Sequence, residues 1–281
     1  MNTVFSEISP SIKLMPYIQT YWLGNFNVQS EKDYSQSVLP NGCIELIVHI
    51  TEDHCLLNKG ESEWNKTPEF MVVGLYDKPY EVQFAHNVQV FGIRFYPDGI
   101  RNVFGIAPAE FLATYEDGTD VLSGKLGKML GRKLREFCLK VKSIKTFEER
   151  VQLANKFVED QLASNELSYD YTHKAMRLIR QVQGMGNYQE LTGQVPIGLR
   201  QLQREFKALY GITVKDYMRL ARINAIQNYM LATKQDLTQL SYNLNFSDQS
   251  HFIREFKTFV GMAPKKFTKN RNAFIINPIS K

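Results

Sequence analysis

Cysteine, long apolar runs and the short motifs of common enzymes are all scarce in this chain of 281 residues. Its three cysteines are odd in number and scattered, which disfavours a disulfide scaffold and indicates a reducing compartment: Cys43, Cys55 and Cys138. No apolar stretch approaches the roughly 20 residues that span a bilayer. The N-terminus, MNTVFSEISP, lacks the basic and apolar segments of a signal peptide. We therefore expect a cytoplasmic protein.

Motifs that would indicate catalysis are also missing. The chain contains no nucleophile elbow, P-loop or dinucleotide fingerprint. His49, His54 and Cys55 lie close together, with His86 and Glu45 as further candidate ligands, but they do not complete a recognisable metal-site pattern. The sequence therefore predicts no enzyme, no metal and no cofactor.

Positive charge is concentrated in the C-terminal part of the chain. The net charge is +5, but residues 164–281 hold 17 Lys or Arg against 8 Asp or Glu, whereas residues 1–163 hold 17 against 21. The two parts therefore carry +9 and −4. This distribution favours a polyanionic partner for the C-terminal part, with an ordinary solvated basic surface as the alternative.

Residues 1 to about 112 predict a small β-barrel or sandwich. Four segments rich in β-branched and aromatic residues read as strands: QTYWLGNFNV, CIELIVHI, EFMVVGLY and VQVFGIRFY. Turn signals at 40–42, 77–79 and 97–99 separate them, and no long helical pattern occurs before about residue 108. Six aromatic residues could line a pocket but are more typical of a core: Tyr17, Tyr21, Trp22, Phe84, Phe91 and Phe95.

The periodicity becomes helical after about residue 121. Apolar residues at three-four spacing predict two amphipathic helices within 121–163, which could pack on the β-domain or on a second copy of the chain. The polar stretch 164–170 is the candidate linker. The remaining predicted helices are 171–183, 188–192, 199–210, 214–232, 237–244, 248–259 and 264 to about 270.

The C-terminal region contains an internal repeat offset by 50 positions. Arg204-Glu205-Phe206-Lys207 returns as Arg254-Glu255-Phe256-Lys257, and Gly211 returns as Gly261. In each copy a short helix, a tight turn and a second helix closed by glycine follow one another. This order is that of the helix-turn-helix unit, whose second helix can enter the DNA major groove.

Each predicted second helix has one apolar and one polar face. The polar faces carry the residue types that read base edges: Arg200, Gln201, Gln203 and Arg204 in the first copy, and Gln249, Ser250, His251 and Arg254 in the second. Lys207 and Lys257 lie toward the helix ends, where phosphate contacts are expected. A solvated helix face is the alternative, and the recurrence of Arg and Lys in both copies disfavours it.

The helix between the two copies explains why the chain repeats itself. Residues 214–232 number 19, so a continuous helix would be about 28 Å long. B-DNA presents the same face about every 34 Å. A rod of this length could hold two reading helices in successive major grooves.

These features resemble the DNA-binding domain of AraC/XylS-type transcription regulators. The most specific stretch is LTQLSYNLNFSDQSHFIREFKTFVGMAPKKF, residues 237–267, and the first copy is recognisable in LRQLQREFKALYGITVKDYMRLARINAI. Ahead of them, LPNGCIELI at 39–47 and GIRFYP at 92–97 resemble the cupin-like sensor domain of one branch of that family. Three positions depart from the pattern. Pro196 cannot adopt a positive φ in the first turn, Gly198 replaces a capping serine, and Val214 stands where the second copy has Pro264.

The resemblance implies an α+β multidomain fold. We expect an N-terminal β-rich, cupin-like barrel with following helices over 1–163, a linker over 164–170, and an all-α domain over 171–281 with two helix-turn-helix motifs joined by a long helix. The expected partners are double-stranded promoter DNA, RNA polymerase and a small-molecule effector whose binding residues are unknown. A homodimer is an open alternative.

Two other functions stay open at this point. One is a cupin-type small-molecule binder or enzyme whose helical part docks a protein. The other is architectural DNA binding without a preferred site, which would show a steep salt dependence.

Overall fold

In a computed structural model, the chain is described over residues 2–27, 35–58, 64–111, 115–117, 125–166, 169–232, 249–269 and 274–275. Strands fill the first part and helices most of the second. None of the helices within these ranges is both long and apolar enough to cross a membrane.

The strands form two sheets. They are β1 (Asn2–Ile8), β2 (Ile18–Asn27), β3 (Ser35–Val38), β4 (Ile44–His49), β5 (Cys55–Asn58), β6 (Asn65–Lys66), β7 (Phe70–Val73), β8 (Tyr80–Phe84), β9 (Asn87–Phe95), β10 (Tyr115–Asp117) and β11 (Phe274–Ile275). One sheet has the order β1-β2-β9-β4-β7-β10 and the other β11-β3-β8-β5-β6. The β-rich domain is confirmed. Over the described strands it is a two-sheet arrangement and not one closed barrel.

Side chains that alternate along the strands build two separate cores. On β2, Trp22 and Phe26 face the second sheet, together with Phe84 of β8. Tyr21 on the same strand points to the opposite face of the six-stranded sheet, where helices cover it. All six aromatic residues singled out from the sequence are less than a tenth exposed, so each belongs to a core.

Nine helices lie within the described ranges. They are α1 (Pro97–Phe104), α2 (Lys125–Ser143), α3 (Phe147–Ser164), α4 (Tyr171–Gln181), α5 (Tyr188–Gly193), α6 (Leu199–Tyr210), α7 (Val214–Ala232), α8 (Gln249–Val260) and α9 (Pro264–Lys269). A 3₁₀ turn spans Pro108–Phe111. The predicted helix over 237–244 lies outside the described residues.

Helix α1 corrects the sequence interpretation, which treated 97–99 as a turn between strands. Pro97 stands in the first turn of α1, where its missing N–H is not needed. Gly105 ends the helix with a φ of 69°. Proline and glycine therefore mark the two ends of a short helix here.

Helices α2 and α3 use their apolar faces on the β-domain. Leu134 and Phe137 of α2 and Val151 and Val158 of α3 lie in the same core as the outer face of the six-stranded sheet. Of the two packings considered for these helices, the one on the β-domain is therefore observed. Position 122, also part of the predicted pattern, lies outside the described residues.

The same core continues into the C-terminal helices. Ala175 and Met176 of α4, Leu202 and Phe206 of α6 and Met218 of α7 belong to it. The helical part therefore packs directly on the β-rich part. The segment 164–170 connects α3 to α4 between regions that share one apolar interior.

Candidate nucleic-acid interface

The sequence repeat is a structural repeat with the same offset. Helix α6 covers Leu199–Tyr210 and helix α8 covers Gln249–Val260, so both ends differ by 50 positions. Gly211 and Gly261 follow these helices with φ values of 74° and 79°, the left-handed conformation that glycine adopts without a Cβ penalty. Helices α7 and α9 then begin at Val214 and Pro264, again 50 apart.

The turn of the first unit is built without a residue at positive φ. Gln194–Gly198 connects α5 to α6, and none of these five residues is among the positive-φ positions of the described chain. The Ile197 N–H donates to the Val195 carbonyl at 2.8 Å, which closes a tight turn around Pro196. Gly198 is the N-cap of α6 at φ −61° and supplies no side-chain cap. Proline is accommodated because the turn stays in ordinary backbone regions.

The polar face of α6 is exposed and basic. Arg200, Gln203, Arg204 and Lys207 are exposed and line one open groove. Asn187 and Tyr188 at the start of α5 and Lys215 of α7 line the same groove. On the opposite face Leu202 and Phe206 are fully buried. The sequence-predicted set of the first copy therefore comes together in this groove, apart from Gln201, which is exposed but does not line it.

Two glutamines of α6 have different surroundings. The Gln203 side-chain amide donates to the Tyr188 hydroxyl at 2.8 Å, which ties the exposed face of α6 to α5. Gln201 instead donates to Glu205 at 2.9 Å on the flank of the helix. Tyr188 was not predicted from the sequence as a site residue, because only the fold brings positions 188 and 203 together.

The corresponding face of α8 is also exposed. Ser250, Arg254 and Lys257 are exposed, as their counterparts Arg200, Arg204 and Lys207 are. His251 lies on the flank, with Nε2 3.9 Å from a Glu255 carboxylate oxygen. Gln249 is the first residue of α8, and its side chain lies outside the described residues. The counterpart of Gln203 is Ile253, which the sequence reasoning missed and which is 38% exposed.

An ion pair fixes α8 against α7. The Arg219 Nε donates to Glu255 Oε1 at 2.7 Å, and the Glu255 side chain is 2% exposed. Asp216 adds a second carboxylate to Arg219 at 3.2 Å. Burial alone would lower the pKa of Arg219, but the two carboxylates outweigh burial and raise the pKa. Helix α8 is thus held against α7 by a buried ion pair.

The β-rich part contains a small cavity between its two sheets. The cavity measures about 60 Å³ and is lined mainly by apolar side chains, with Glu45, His49 and Tyr80 among the polar ones. The indole Nε1 of Trp22, another lining residue, is buried and has no hydrogen-bond partner among the described residues. Burial and the neighbouring His54 lower the pKa of His49 to about 4, so this side chain is neutral near pH 7.

The candidate metal ligands of the sequence have other partners here. His49 Nε2 lies 3.1 Å from the Thr67 hydroxyl oxygen, and His54 Nδ1 lies 2.8 Å from the Thr67 carbonyl oxygen. The two imidazole rings stack at 4.8 Å. Over the described part of the chain, no three His, Cys, Asp or Glu side chains are grouped so as to hold a metal ion.

Comparison with known proteins finds separate matches for the two parts of the chain. Residues 191–270 match the family described as a helix-turn-helix domain. Residues 6–117 match the family described as a domain of unknown function, DUF6597. The HTH-type transcriptional activator RhaS of Escherichia coli O157:H7 is 25% identical over 89 residues, which are 32% of this chain and 32% of RhaS. The chain thus spans about a third of the length of these curated relatives.

Solved structures of low sequence identity are also similar. ToxT from Vibrio cholerae has a TM-score of 0.46 and 12% identity, covering 95% of this chain and 97% of ToxT. A cupin domain of an XRE-family transcriptional regulator from Enterobacter cloacae has a TM-score of 0.26 and 16% identity, covering 34% of this chain and 99% of that domain. The match over 191–270 covers both repeated helices, α6 and α8, and agrees with the resemblance of this part to AraC/XylS-type regulators, while residues 6–117 ahead of it match the separate DUF6597 family.

Proposed function

We propose that this protein is a one-component transcription regulator that binds promoter DNA through two helix-turn-helix units in successive major grooves. The observation that carries the proposal is the repeat: α6 and α8 present exposed basic faces at matching positions, and α7, a continuous helix of 19 residues, lies between them in the chain. That helix is about 28 Å long. Two such faces in one chain supply both heads that simpler helix-turn-helix proteins obtain by dimerisation.

Each head has residues for base contact and for phosphate contact. Arg200, Arg204 and Arg254 are exposed on the outer faces and suit guanine edges, and Gln203 suits adenine. Ile253 offers an apolar surface for a thymine methyl group. Lys207 and Lys257 are exposed toward the helix ends and would contact phosphates.

Further base-reading positions in the proposal are Gln201, Gln249, Ser250 and His251. Gln201 has the weakest placement of these, because it lies on the flank of α6 and bonds to Glu205.

The β-rich part would sense a small molecule and adjust DNA binding. The cavity beside Trp22 is the place in this part where a ligand of a few heavy atoms, or a larger one after rearrangement, would be enclosed. The rest of the proposal is a cytoplasmic location, no catalytic activity and contact with RNA polymerase at the promoter. A homodimer would need a surface other than the core faces of α2 and α3, since these faces already cover the sheet.

The test begins with selection of binding sites from fragmented genomic DNA by the full-length protein. We expect enrichment of sites with two short blocks one helical turn apart, roughly 10 base pairs. If no site is enriched and DNA binding shows only a steep salt dependence, the binding is architectural and the proposal is refuted.

The selected site then allows the second head to be tested residue by residue. Arg254→Ala should weaken binding by about 1–3 kcal/mol and relax the preference at one block only. Lys257→Ala should weaken all sequences alike and reduce the salt slope by about 1. Arg135→Ala, an exposed arginine of α2, is the matched control. If Arg254→Ala binds the site as the parent does, α8 does not read bases.

A further inference from the structure

We propose that the segment Val38–Cys43 mechanically couples the cavity of the β-rich part to α7, the helix that joins the two reading heads. Occupancy of the cavity and engagement of DNA would then influence each other through this segment. The inference rests on the proposed function and adds to it the route by which one part regulates the other. This route is built from side chains and backbone groups on both sides of the segment.

The segment begins with two neighbouring residues that face opposite ways. Val38 ends β3 and lines the cavity between the sheets. Leu39 is buried in a different cluster, with Leu220 and Ile223 of α7 and Phe252 and Phe256 of α8. Consecutive residues of an extended chain point to opposite sides. A shift of the backbone here therefore moves a cavity wall and a core residue of the reading heads together.

A charged group of the cavity wall holds the middle of the segment. The Asn41 side-chain amide donates to Glu45 Oε1 at 2.6 Å, and the Asn41 Oδ1 accepts the Cys43 N–H at 2.9 Å. Glu45 lines the cavity, and its Oε1 also accepts from the buried Arg94 Nε at 2.7 Å. A ligand that draws the Glu45 carboxylate toward the cavity would compete with both of these bonds. Asn41 would then release or rotate the turn that it closes.

The far end of the segment is bonded to α7. The Tyr217 hydroxyl donates to the Gly42 carbonyl at 3.0 Å, and both groups are buried. Gly42 has a φ of 71°, and a Cβ at this position would lie 3.6 Å from side-chain atoms of Tyr217 and Leu220. The left-handed conformation brings the turn against α7 and aims its carbonyl at the tyrosine. Rotation of the turn would break this bond or carry Tyr217 with it.

A second contact ties the segment to the cavity independently. The Tyr76 hydroxyl donates to the Leu39 carbonyl at 3.0 Å. The Tyr76 ring packs edge to face on Tyr80 at 4.9 Å, and Tyr80 lines the cavity. Two cavity-lining groups, Glu45 and Tyr80, therefore act on the six-residue segment Val38–Cys43 from different sides. Because α7 packs against both α6 and α8, a small displacement of α7 would change the placement of both heads.

Coupling of this kind is reciprocal, so DNA binding must alter the cavity. The cavity contains its own reporter, because Trp22 lines it and the only other tryptophan is Trp64. The experiment uses full-length Trp64→Phe protein and the DNA site obtained by genomic selection. Binding is followed by anisotropy of the labelled DNA and, in the same titration, by Trp22 emission. A scrambled duplex of equal length is the control for quenching by DNA itself.

We expect the selected site, and not the scrambled duplex, to change the Trp22 emission. Asn41→Ala and Tyr217→Phe should each abolish this change and alter DNA affinity by about fivefold or more, the lower end of typical coupling. The double variant should change the free energy of DNA binding by less than the sum of the two single changes, since both substitutions act on one turn. Two control variants should retain the change in Trp22 emission. Asn25→Ala removes a 2.6 Å side-chain hydrogen bond elsewhere in the β-rich part, and Tyr210→Phe removes a buried hydroxyl of α6.

The outcomes separate this inference from the proposed function. If DNA binds but Trp22 does not respond, or if both variants keep the parental response, the coupling segment is refuted and the DNA-binding proposal stands. If the selected DNA is not bound specifically by the parent protein, the proposed function fails and the inference fails with it. Tyr217→Phe preserves the ring in its buried site, and thermal melts of every variant show whether a lost response reflects unfolding.

Discussion

Glutamate in the repeated Arg-Glu-Phe-Lys tetrapeptide has different surroundings in the two copies. Glu255 is 3% exposed and pairs with Arg219 of α7, whereas Glu205 is partly exposed and bonds to Gln201 of its own helix. Loss of one partner from a buried pair is far more costly than loss of an exposed contact. The same tetrapeptide therefore fixes the orientation of α8 on α7 in the second copy, whereas in the first copy its glutamate lies on the flank of α6.

Protonation of one buried histidine should make the free energy of unfolding depend on pH. The pKa of His49 is lowered to about 4, against about 6.5 in an unfolded chain. The unfolded chain therefore takes up this proton first as the pH falls below about 6.5, and stability is lost from there down to about 4. Between pH 7 and pH 5 the contribution is about 2 kcal/mol.

Urea unfolding at pH 7 and pH 5 measures this contribution. The free energy of unfolding should differ between pH 7 and pH 5 by about 2 kcal/mol less in His49→Asn than in the parent protein. The control is His86→Asn, an exposed histidine of the same domain, which should leave the difference unchanged. An equal pH effect in the parent and in His49→Asn would show that His49 is not the responsible group.

At the scale of elements, the repeated glycines are the clearest link from sequence to structure. Gly211 adopts a φ of 74° as the C-cap of α6, and its N–H donates to the Lys207 carbonyl at 2.8 Å. An alanine in this conformation costs roughly 1–2 kcal/mol. Gly211→Ala should therefore lower the free energy of unfolding by about that amount.

The matched control for Gly211→Ala is Gly193→Ala at the end of α5. A Cβ at Gly193 would have no heavy atom within 4 Å, and the backbone there is helical. Alanine should be neutral or slightly stabilising at this position. Chemical denaturation of the two variants gives the comparison, and equal stability of both would contradict the argument from φ.

Helix bounds in the C-terminal part could be predicted because each end has its own chemical signal. Leu199–Tyr210 was predicted at its observed limits, since the apolar spacing and Gly211 define it, and the start of α7 at Val214 was predicted as well. Pro97–Phe104 was missed because a proline followed by Asp-Gly signals a turn as strongly as a helix start. In that case tertiary contacts decided, since Ile100 and Val103 are buried in the core.

Contacts between distant positions were not predictable from the sequence. The strands around Trp22 carried a visible alternation, but the pairing order of the sheets and the cavity between them did not follow from it. The tether from Gln203 to Tyr188 and the bond from Tyr217 to Gly42 join residues that no local pattern relates. The exposed polar faces of α6 and α8 were predictable, whereas the groups that orient these helices were not.

At the scale of the whole molecule, the β-rich and helical parts are clamped by a buried carboxylate. Asp98 of α1 is 0% exposed; one of its oxygens pairs with the Arg180 guanidinium and the other lies 2.9 Å from His173 Nδ1, both residues being on α4. The Arg180 guanidinium also lies over the Tyr96 ring, 3.9 Å from its centroid. Next to this cluster, Arg101 pairs with Asp170 at 2.8 Å. Charge pairing therefore accompanies the shared apolar core.

Removal of Asp98 should loosen the helical part from the β-rich part. Asp98→Ala leaves Arg180 without its buried carboxylate, a change that costs about 3 kcal/mol. Urea unfolding can be monitored by tryptophan emission, which reports on the β-rich part, and by far-ultraviolet circular dichroism, which reports mainly on helices. In the parent protein we expect the two transitions to coincide. In Asp98→Ala the helical signal should be lost at a lower urea concentration than the tryptophan signal. The control is Asp77→Ala, at an exposed position, which should behave as the parent does. If the two transitions of Asp98→Ala coincide at the parental midpoint, the apolar core alone joins the two parts.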